Sequence, residues 1–297
     1  MNAIIPAAGI GKRMQPITHY IPKALLPIVY RPLIEIIITQ LMKSGIEKIG
    51  INLFHKADVI QAFLHKFQTH LSTVLENELS GTGGALRNFT DFFTEDIIVH
   101  NGDVLSNINL GDAVKFHTQR KPMATLLVTK NPGTNVINLN SHYRITDIST
   151  HDMPDHYTFT GIAILSKKIA DYFPKRACFS IIDIYRRLID EDAFIVGLPT
   201  KEQWYDIGSH YAYWKVHHDI LNRKVTFKEV AVHTPLYIHH SSIVHTENIT
   251  GFVSIGPGCY VAEHVSLNNT IIFAKSRIEK GNYTNCLLSK AFCISVQ

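Results

Sequence analysis

The sequence predicts an α/β protein, a doubly wound domain followed by a short parallel β-helix. Two observations carry that prediction. From the first residues to about Asn222, short β-branched runs alternate with amphipathic stretches, the pattern of βαβ units around a largely parallel sheet. After about Val230 the alternation stops, and apolar residues recur every six positions at Ile243, Ile249, Ile255, Val261, Leu267 and Phe273. With 297 residues, 45% of them hydrophobic and 18% charged, the chain has a globular composition and the length for two domains. The expected division is 1–229 and 230–297.

In order along the chain, strands are predicted from Asn2 to Ala7, Lys48 to Asn52, Ser72 to Leu75, Ile97 to Asn101, Met123 to Val128 and Phe159 to Leu165. Helical periodicity runs from Pro32 to Ser44, Ala57 to Lys66, Leu110 to Arg120, Ile182 to Asp190 and Ser209 to Asn222, several with Asp, Ser or Pro near the start. In such a sheet ligands sit beyond the carboxyl ends of the strands, so the chemistry is sought in the loops that follow them. In the repeat, the fourth residue after five of the six apolar positions is Glu247, Val253, Cys259, Val265 and Ile271, and Gly, Pro, Asn and His fill the corners. This reads as a left-handed hexapeptide β-helix of about two coils, short enough to lean on the main domain or on another subunit. A homo-oligomer is therefore expected.

Several classes are set aside. Cys178, Cys259, Cys286 and Cys293 form neither a C-x-x-C pair nor a compact framework, which favours reduced thiols over disulfides or zinc. A net charge of +4 without a run of Lys and Arg does not read as a nucleic-acid surface and suits a small anionic substrate. The apolar stretch from Pro32 to Met42 is interrupted by Glu35 and Gln40 and is too short for a membrane helix. The opening residues lack the features of a signal peptide, which places the chain in the cytoplasm as an expectation.

The most informative segment, Ala7-Ala8-Gly9-Ile10-Gly11-Lys12-Arg13-Met14-Gln15-Pro16, follows the first strand, with Pro22-Lys23-Ala24-Leu25-Leu26-Pro27 shortly after. Glycines let the backbone approach a ligand, exposed N–H groups make an anion nest, and Arg13 and Lys23 add positive charge for a polyphosphate. It is neither a Walker A loop nor a dinucleotide fingerprint, since Met14 stands where a third glycine would be needed. Asp103 follows Asn101-Gly102 at the end of a predicted strand, and Asp206 lies in Trp204-Tyr205-Asp206-Ile207-Gly208. Two aspartates at strand ends suit Mg2+, which prefers a few carboxylates plus phosphate oxygens and water.

These motifs, with Gly81-Thr82-Gly83-Gly84-Ala85 and Phe159-Thr160-Gly161, resemble the signature of the sugar-phosphate nucleotidyltransferases, most closely the mannose-1-phosphate guanylyltransferase-like branch. The resemblance spans nearly the whole chain and implies a Rossmann-like catalytic domain. It implies that Arg13 assists the leaving pyrophosphate, that Lys23 holds phosphate oxygens, and that Asp103 and Asp206 hold Mg2+. It also implies that Ala8, Gly9, Gly11, Glu76, Glu78, Gly81, Thr82 and Gly102 face the nucleotide, with Gly161 and Asp183 near the sugar. As acceptors only, Glu76 or Glu78 could take the N1 and N2 hydrogens of guanine, which favours GTP. One departure stands out. Many relatives carry a Glu-Lys pair before the Thr-Gly strand, whereas Ile145 to Thr158 holds no lysine. His151, His156, Arg144, Lys175 or Arg176 are the candidates to replace it, and Asp183 has an equal reading as a helix cap.

The resemblance thus implies transfer of a nucleoside monophosphate from a nucleoside triphosphate to a sugar 1-phosphate such as mannose 1-phosphate. Alternatives are a uridylyl- or thymidylyltransferase acting on another sugar 1-phosphate, or a non-catalytic nucleotide-sugar-binding regulatory protein. A β-helix acyltransferase is disfavoured, since two coils offer little surface for a coenzyme.

Overall fold

The computed structural model describes residues 1–67, 69–130, 135–149, 156–232 and 234–296. Two compact units divide the chain, Met1–Ile10 with Ile37–Trp204, and Gly11–Ile36 with Tyr205–Gln297.

The first unit is built on a sheet of nine strands among the described residues. Asn2–Pro6 lies between Ile49–Leu53 and Ile97–His100, parallel to both, and Leu71–Leu75 extends the parallel edge. Each of these strands is joined to the next through a helical connection, α1 (Leu33–Lys43), α2 (Ala57–Leu64) and α3 (Gly81–Arg87) in turn, which gives the chain the length a parallel crossover needs. Beyond Ile97–His100 the expectation of a largely parallel sheet fails. Tyr157–Leu165 runs antiparallel to Ile97–His100, Ala124–Thr129 and Val136–Leu139. The strands Val136–Leu139 and Ile145–Ser149 precede it as an antiparallel hairpin, with Val136–Leu139 as the shared neighbour, and a connection as short as the one between those two allows only antiparallel pairing. Ala124–Thr129 then pairs in parallel with Ile195–Pro199 across α5 (Ile181–Asp190). Ile4, Leu126, Ala163, Tyr185 and Ile195, all fully buried, belong to one core.

Side-chain caps set the helix starts. Asn109 accepts from Gly111 N and Asp112 N at α4 (Leu110–Arg120), Ser180 accepts from Ile182 N at α5, and Ser209 accepts from Ala212 N at α6 (His210–Leu221). Each satisfies a donor that the first helical turn leaves unpaired.

In the second unit, parallel strands follow α6. Leu236–Ile238, Ile249–Ile255, Val265–Ile272 and Cys286–Leu288 stack in that order, and Ile243–Val244, Tyr260–Val261 and Arg277–Ile278 form a second stack. Paired residues lie 16 to 18 positions apart, as in Ile271 with Leu287, Leu236 with Val253 and Ile249 with Leu267. Val253, Ile255, Val261, Val265 and Leu267 fill the space they enclose. At one corner, left-handed residues stand in a column: Gly251 (φ 63°), Asn269 (φ 48°) and Asn285 (φ 51°). Gly and Asn are the residues that take this conformation readily. Asn269 Nδ2 donates to Asn285 Oδ1 at 3.2 Å, and a Cβ on Gly251 would lie 2.1 Å from Asn269 Oδ1, so only glycine fits there.

The segment Gly11–Ile36 belongs to this second unit and is fixed by α6. Tyr213 Oη donates to Pro27 O at 2.6 Å, and His217 Nε2 accepts from Val29 N at 2.9 Å while its Nδ1 faces Tyr213 O. That acceptance holds Val29, a β-branched residue, at φ 59°, a conformation such residues rarely take. Trp214 Nε1 donates to Asn269 O, and Tyr213 stacks on Phe273.

Burial lowers the His217 pKa from 6.5 to about 4, so the folded chain keeps the ring neutral where the unfolded chain protonates it. Between those values the unfolded state binds more protons, so the contribution is complete above pH 6.5 and is lost as pH falls toward 4. At about 1.4 kcal/mol per pH unit, the urea midpoint of the wild type should drop over that window. It should drop less steeply in His217→Gln. An unchanged pH slope in the variant would overturn this account.

Candidate active site

In the first unit Ala8, Gly9, Glu76 and Gly102 follow parallel strands, while Gly161 lies within the antiparallel strand Tyr157–Leu165. Gly9 is exposed, with nothing within 4 Å of where its Cβ would stand, which leaves the backbone after Asn2–Pro6 open to a ligand. Ala8 is buried beside it. Gly102 N donates to Pro6 O at 3.0 Å, and a Cβ on Gly102 would stand 2.9 Å from Pro6 O and 3.2 Å from the Ala7 Cβ. The glycine therefore lets the loop carrying Asp103 close onto the loop carrying Ala8 and Gly9. Gly161, at φ 81°, would place a Cβ 2.7 Å from Asn101 Nδ2, and its carbonyl accepts from Asn101 N. It packs behind the same loop.

Glu76, expected to read a base, has another position. Its carboxylate accepts from Asn52 Nδ2 at 2.7 Å, from Ser80 Oγ, from Ser80 N at 3.1 Å and from Asn88 Nδ2 at 3.1 Å, and the residue is buried. Four donors occupy the roughly four lone-pair sites of a carboxylate. Asn52 in turn accepts from Ala7 N at 2.8 Å, so Glu76 braces the glycine-bearing loop. Sequence reasoning missed Asn52. The signal was available, since it is the polar residue in the otherwise apolar and buried strand Ile49–Leu53. Glu78 is exposed.

Gly81 and Thr82 open α3, which sequence periodicity did not reveal because three glycines weaken a helix. The turn is held from outside. Gly83 N and Gly84 N donate to Phe179 O at 2.9 and 3.3 Å, Phe179 N donates to Ser80 O, and Ile181 N donates to Thr82 Oγ1. A Cβ on Gly84 would stand 2.5 Å from Ala177 O, so the glycines serve close approach to the 177–181 segment.

In the second unit, Gly11 sits at φ 69°, where a Cβ would stand 2.8 Å from Thr18 Cγ2 and 3.4 Å from Lys23 Cβ. Thr18 Oγ1 donates to Gly11 O at 3.0 Å. The segment thus folds back so that the Lys23 stem lies against Gly11. Arg13 and Asp206 meet at Gly208, where a Cβ would lie 2.7 Å from Arg13 Nη2 and 2.8 Å from Asp206 Oδ1. A guanidinium, an ammonium and a carboxylate are thereby carried on one unit by the two motifs that flank it in sequence. That charge pattern suits a phosphate chain and its counter-ion.

Residues 2–223 match the family model described as Nucleotidyl transferase. The chain belongs to the nucleotidyl transferase family. As a member, it is an enzyme of that transferase class. It is 26% identical over 95% of its length to a UTP--glucose-1-phosphate uridylyltransferase of Synechocystis sp., covering 85% of that protein. It is 22% identical over 95% of its length to a mannose-1-phosphate guanylyltransferase of Mycobacterium tuberculosis, covering 82%. Among solved structures, a Bacillus anthracis protein crystallised with sucrose and described as a glucose-1-phosphate thymidylyltransferase superposes with a TM-score of 0.67 at 25% identity, over 76% of this chain and 97% of that one. The α/β Rossmann-like fold of this nucleotidyltransferase is thus shared.

The far end of the site differs from expectation in its cations. Ser180 caps α5, not Asp183. Asp183 instead pairs with Arg176 Nη2 at 3.5 Å and Arg186 Nη1 at 3.8 Å, all three partly exposed. Arg87 Nη1 holds the carbonyls of Pro174, Lys175 and Arg176, fixing the turn that presents Arg176. Arg144 is engaged elsewhere, with Asp192 at 2.6 Å. His151 lies outside the described residues, and His156 has a partner of its own. Among the described residues of this nucleotidyltransferase, no helix is long and apolar enough to cross a membrane.

Proposed function

We propose that this nucleotidyltransferase joins a nucleoside triphosphate, GTP by preference, to a sugar 1-phosphate of the mannose type, forming an NDP-sugar and pyrophosphate. The observation that carries the proposal is the meeting of Arg13 and Asp206 at Gly208, beside a loop that folds Lys23 against Gly11. An oxygen of the sugar phosphate attacks the α-phosphorus in line, and the bond from that phosphorus to the bridging oxygen breaks as pyrophosphate leaves. Both reactants are anions, so catalysis consists of positioning them and offsetting their charge. Arg13 stabilises the charge that grows on the leaving pyrophosphate, and Lys23 holds phosphate oxygens. Ala8, Gly9, Gly11, Gly81, Thr82 and Gly102 shape the nucleotide's seat. Glu78, an exposed acceptor, takes the guanine N1 and N2 hydrogens. Gly161, Asp183 and the neighbouring Arg176 serve the sugar phosphate.

Asp103 and Asp206 are the proposed ligands of Mg2+. Two carboxylates fit an ion that takes its remaining ligands from phosphate and water. When bound, the ion would neutralise phosphate oxygens. The division into a catalytic region 1–229 and a left-handed hexapeptide β-helix 230–297 is supported by parallel strands paired 16 to 18 positions apart, close to three hexads. A cytoplasmic homo-oligomer completes the proposal.

The uridylyltransferase of Synechocystis at 26% identity favours a second reading, UTP with glucose 1-phosphate. Pyrophosphate release should therefore be measured across GTP, UTP, dTTP, ATP and CTP against hexose, hexosamine and heptose 1-phosphates, with Mg2+ and with EDTA. Metal-dependent turnover with GTP and mannose 1-phosphate is expected. A preference for UTP would move the assignment to the second reading, and silence across the panel with binding intact would favour a nucleotide-sugar-binding regulator.

A further inference from the structure

Asp219 of α6 is a buried carboxylate that the reaction as described does not use. Its side chain is 6% exposed, yet three side chains converge on it. Tyr205 Oη donates to Oδ2 at 2.9 Å, Lys215 Nζ forms an ion pair with the same oxygen, and His218 Nδ1 lies 2.9 Å from Oδ1. Burial alone would push the carboxyl pKa up, but the hydrogen bonds from Lys215, His218 and Tyr205 outweigh it and hold the group ionised, below its ordinary value. Lys215 and His218 suffice to pair a buried carboxylate. The tyrosine bond therefore points to a second use.

Tyr205 immediately precedes Asp206 in the strand Trp204–Asp206. Successive side chains of a strand leave opposite faces, so the tyrosine reaches behind the strand from which Asp206 projects. Its ring packs edge-on against Phe227, and its hydroxyl is fixed to Asp219. We infer that Asp219 is a positioning residue for Asp206, acting through Tyr205. The inference rests on the proposed role of Asp206 as a metal ligand. Groups that orient a metal's ligands are worth about 10- to 100-fold in metal affinity or activity.

The test uses the full chain and Mn2+ alone, with free ion followed by electron paramagnetic resonance, and the Mg2+ concentration for half-maximal turnover as a second readout. Tyr205→Phe removes only a hydroxyl and retains the ring packing. Asp219→Asn removes the charge and retains the shape. Each should weaken Mn2+ binding about tenfold or more, and the double variant should be no weaker than the weaker single, because one path is broken twice. A lowered melting temperature with unchanged Mn2+ affinity would overturn the inference, as would additive losses. Asp206→Asn separates the two levels. If it loses Mn2+ while Tyr205→Phe binds like wild type, the positioning role fails and the metal assignment stands; if it keeps Mn2+, the metal assignment itself fails.

Discussion

Asp206→Asn is expected to lower pyrophosphate release by at least about 100-fold, the scale of losing one preorganised charge-stabilising group, and Asp103→Asn by a similar factor. Both replacements keep the shape of the side chain and remove its charge. The loss should fall in turnover while the melting temperature stays near wild type, since neither residue belongs to a hydrophobic core. Raised Mg2+ should recover part of the activity if the charge serves a cation. Wild-type turnover in both variants would overturn the metal assignment. The motif that gives Asp206 its neighbour Gly208 also limits substitution nearby, because any side chain at 208 would meet both Arg13 and Asp206.

Glu76→Ala should produce the largest loss of stability. It strips the partner from Asn52 Nδ2, Ser80 Oγ, Ser80 N and Asn88 Nδ2 together. One buried unsatisfied donor costs about 1–3 kcal/mol. Relaxation and entering water reduce the sum, so a loss of about 3–5 kcal/mol is expected, read as a fall of roughly 10 °C in melting temperature for a unit of this size. Glu76→Gln keeps one acceptor oxygen and should lie between the two. Stability within about 1 kcal/mol of wild type, together with a changed preference between GTP and UTP, would return Glu76 to the role of base reader.

The distinction between Glu76 and Glu78 shows where sequence reasoning stops. Both are acceptors in one loop, and nothing in their spacing says that Asn52, Ser80 and Asn88 fold onto the first. The strands Asn2–Pro6 and Ile97–His100 were legible because apolar runs end in turn-forming residues, whereas the roles proposed for Arg13, Lys23, Asp103 and Asp206 come from their motifs. The direction of Tyr157–Leu165 was not legible, since alternation reports which face is buried and not which neighbour lies alongside. The six-residue repeat located the buried Ile255, Val261 and Leu267 correctly. It failed at Ile243, which is 57% exposed, because the strand Ile243–Val244 begins its stack and pairs on one side only. Asp219 carried no motif at all. Its role depends on a tyrosine fourteen positions earlier in sequence.

The second unit also sets a clock on synthesis. Its first piece, Gly11–Ile36, is made early, while its second piece begins only at Tyr205. At about 5–20 residues per second, the segment bearing Arg13 and Lys23 waits roughly 10–40 seconds for the helix whose Tyr213 and His217 secure it. A nascent chain therefore holds its proposed phosphate-binding cations unanchored until most of its length has been made, and catalytic competence arrives as a late event of translation.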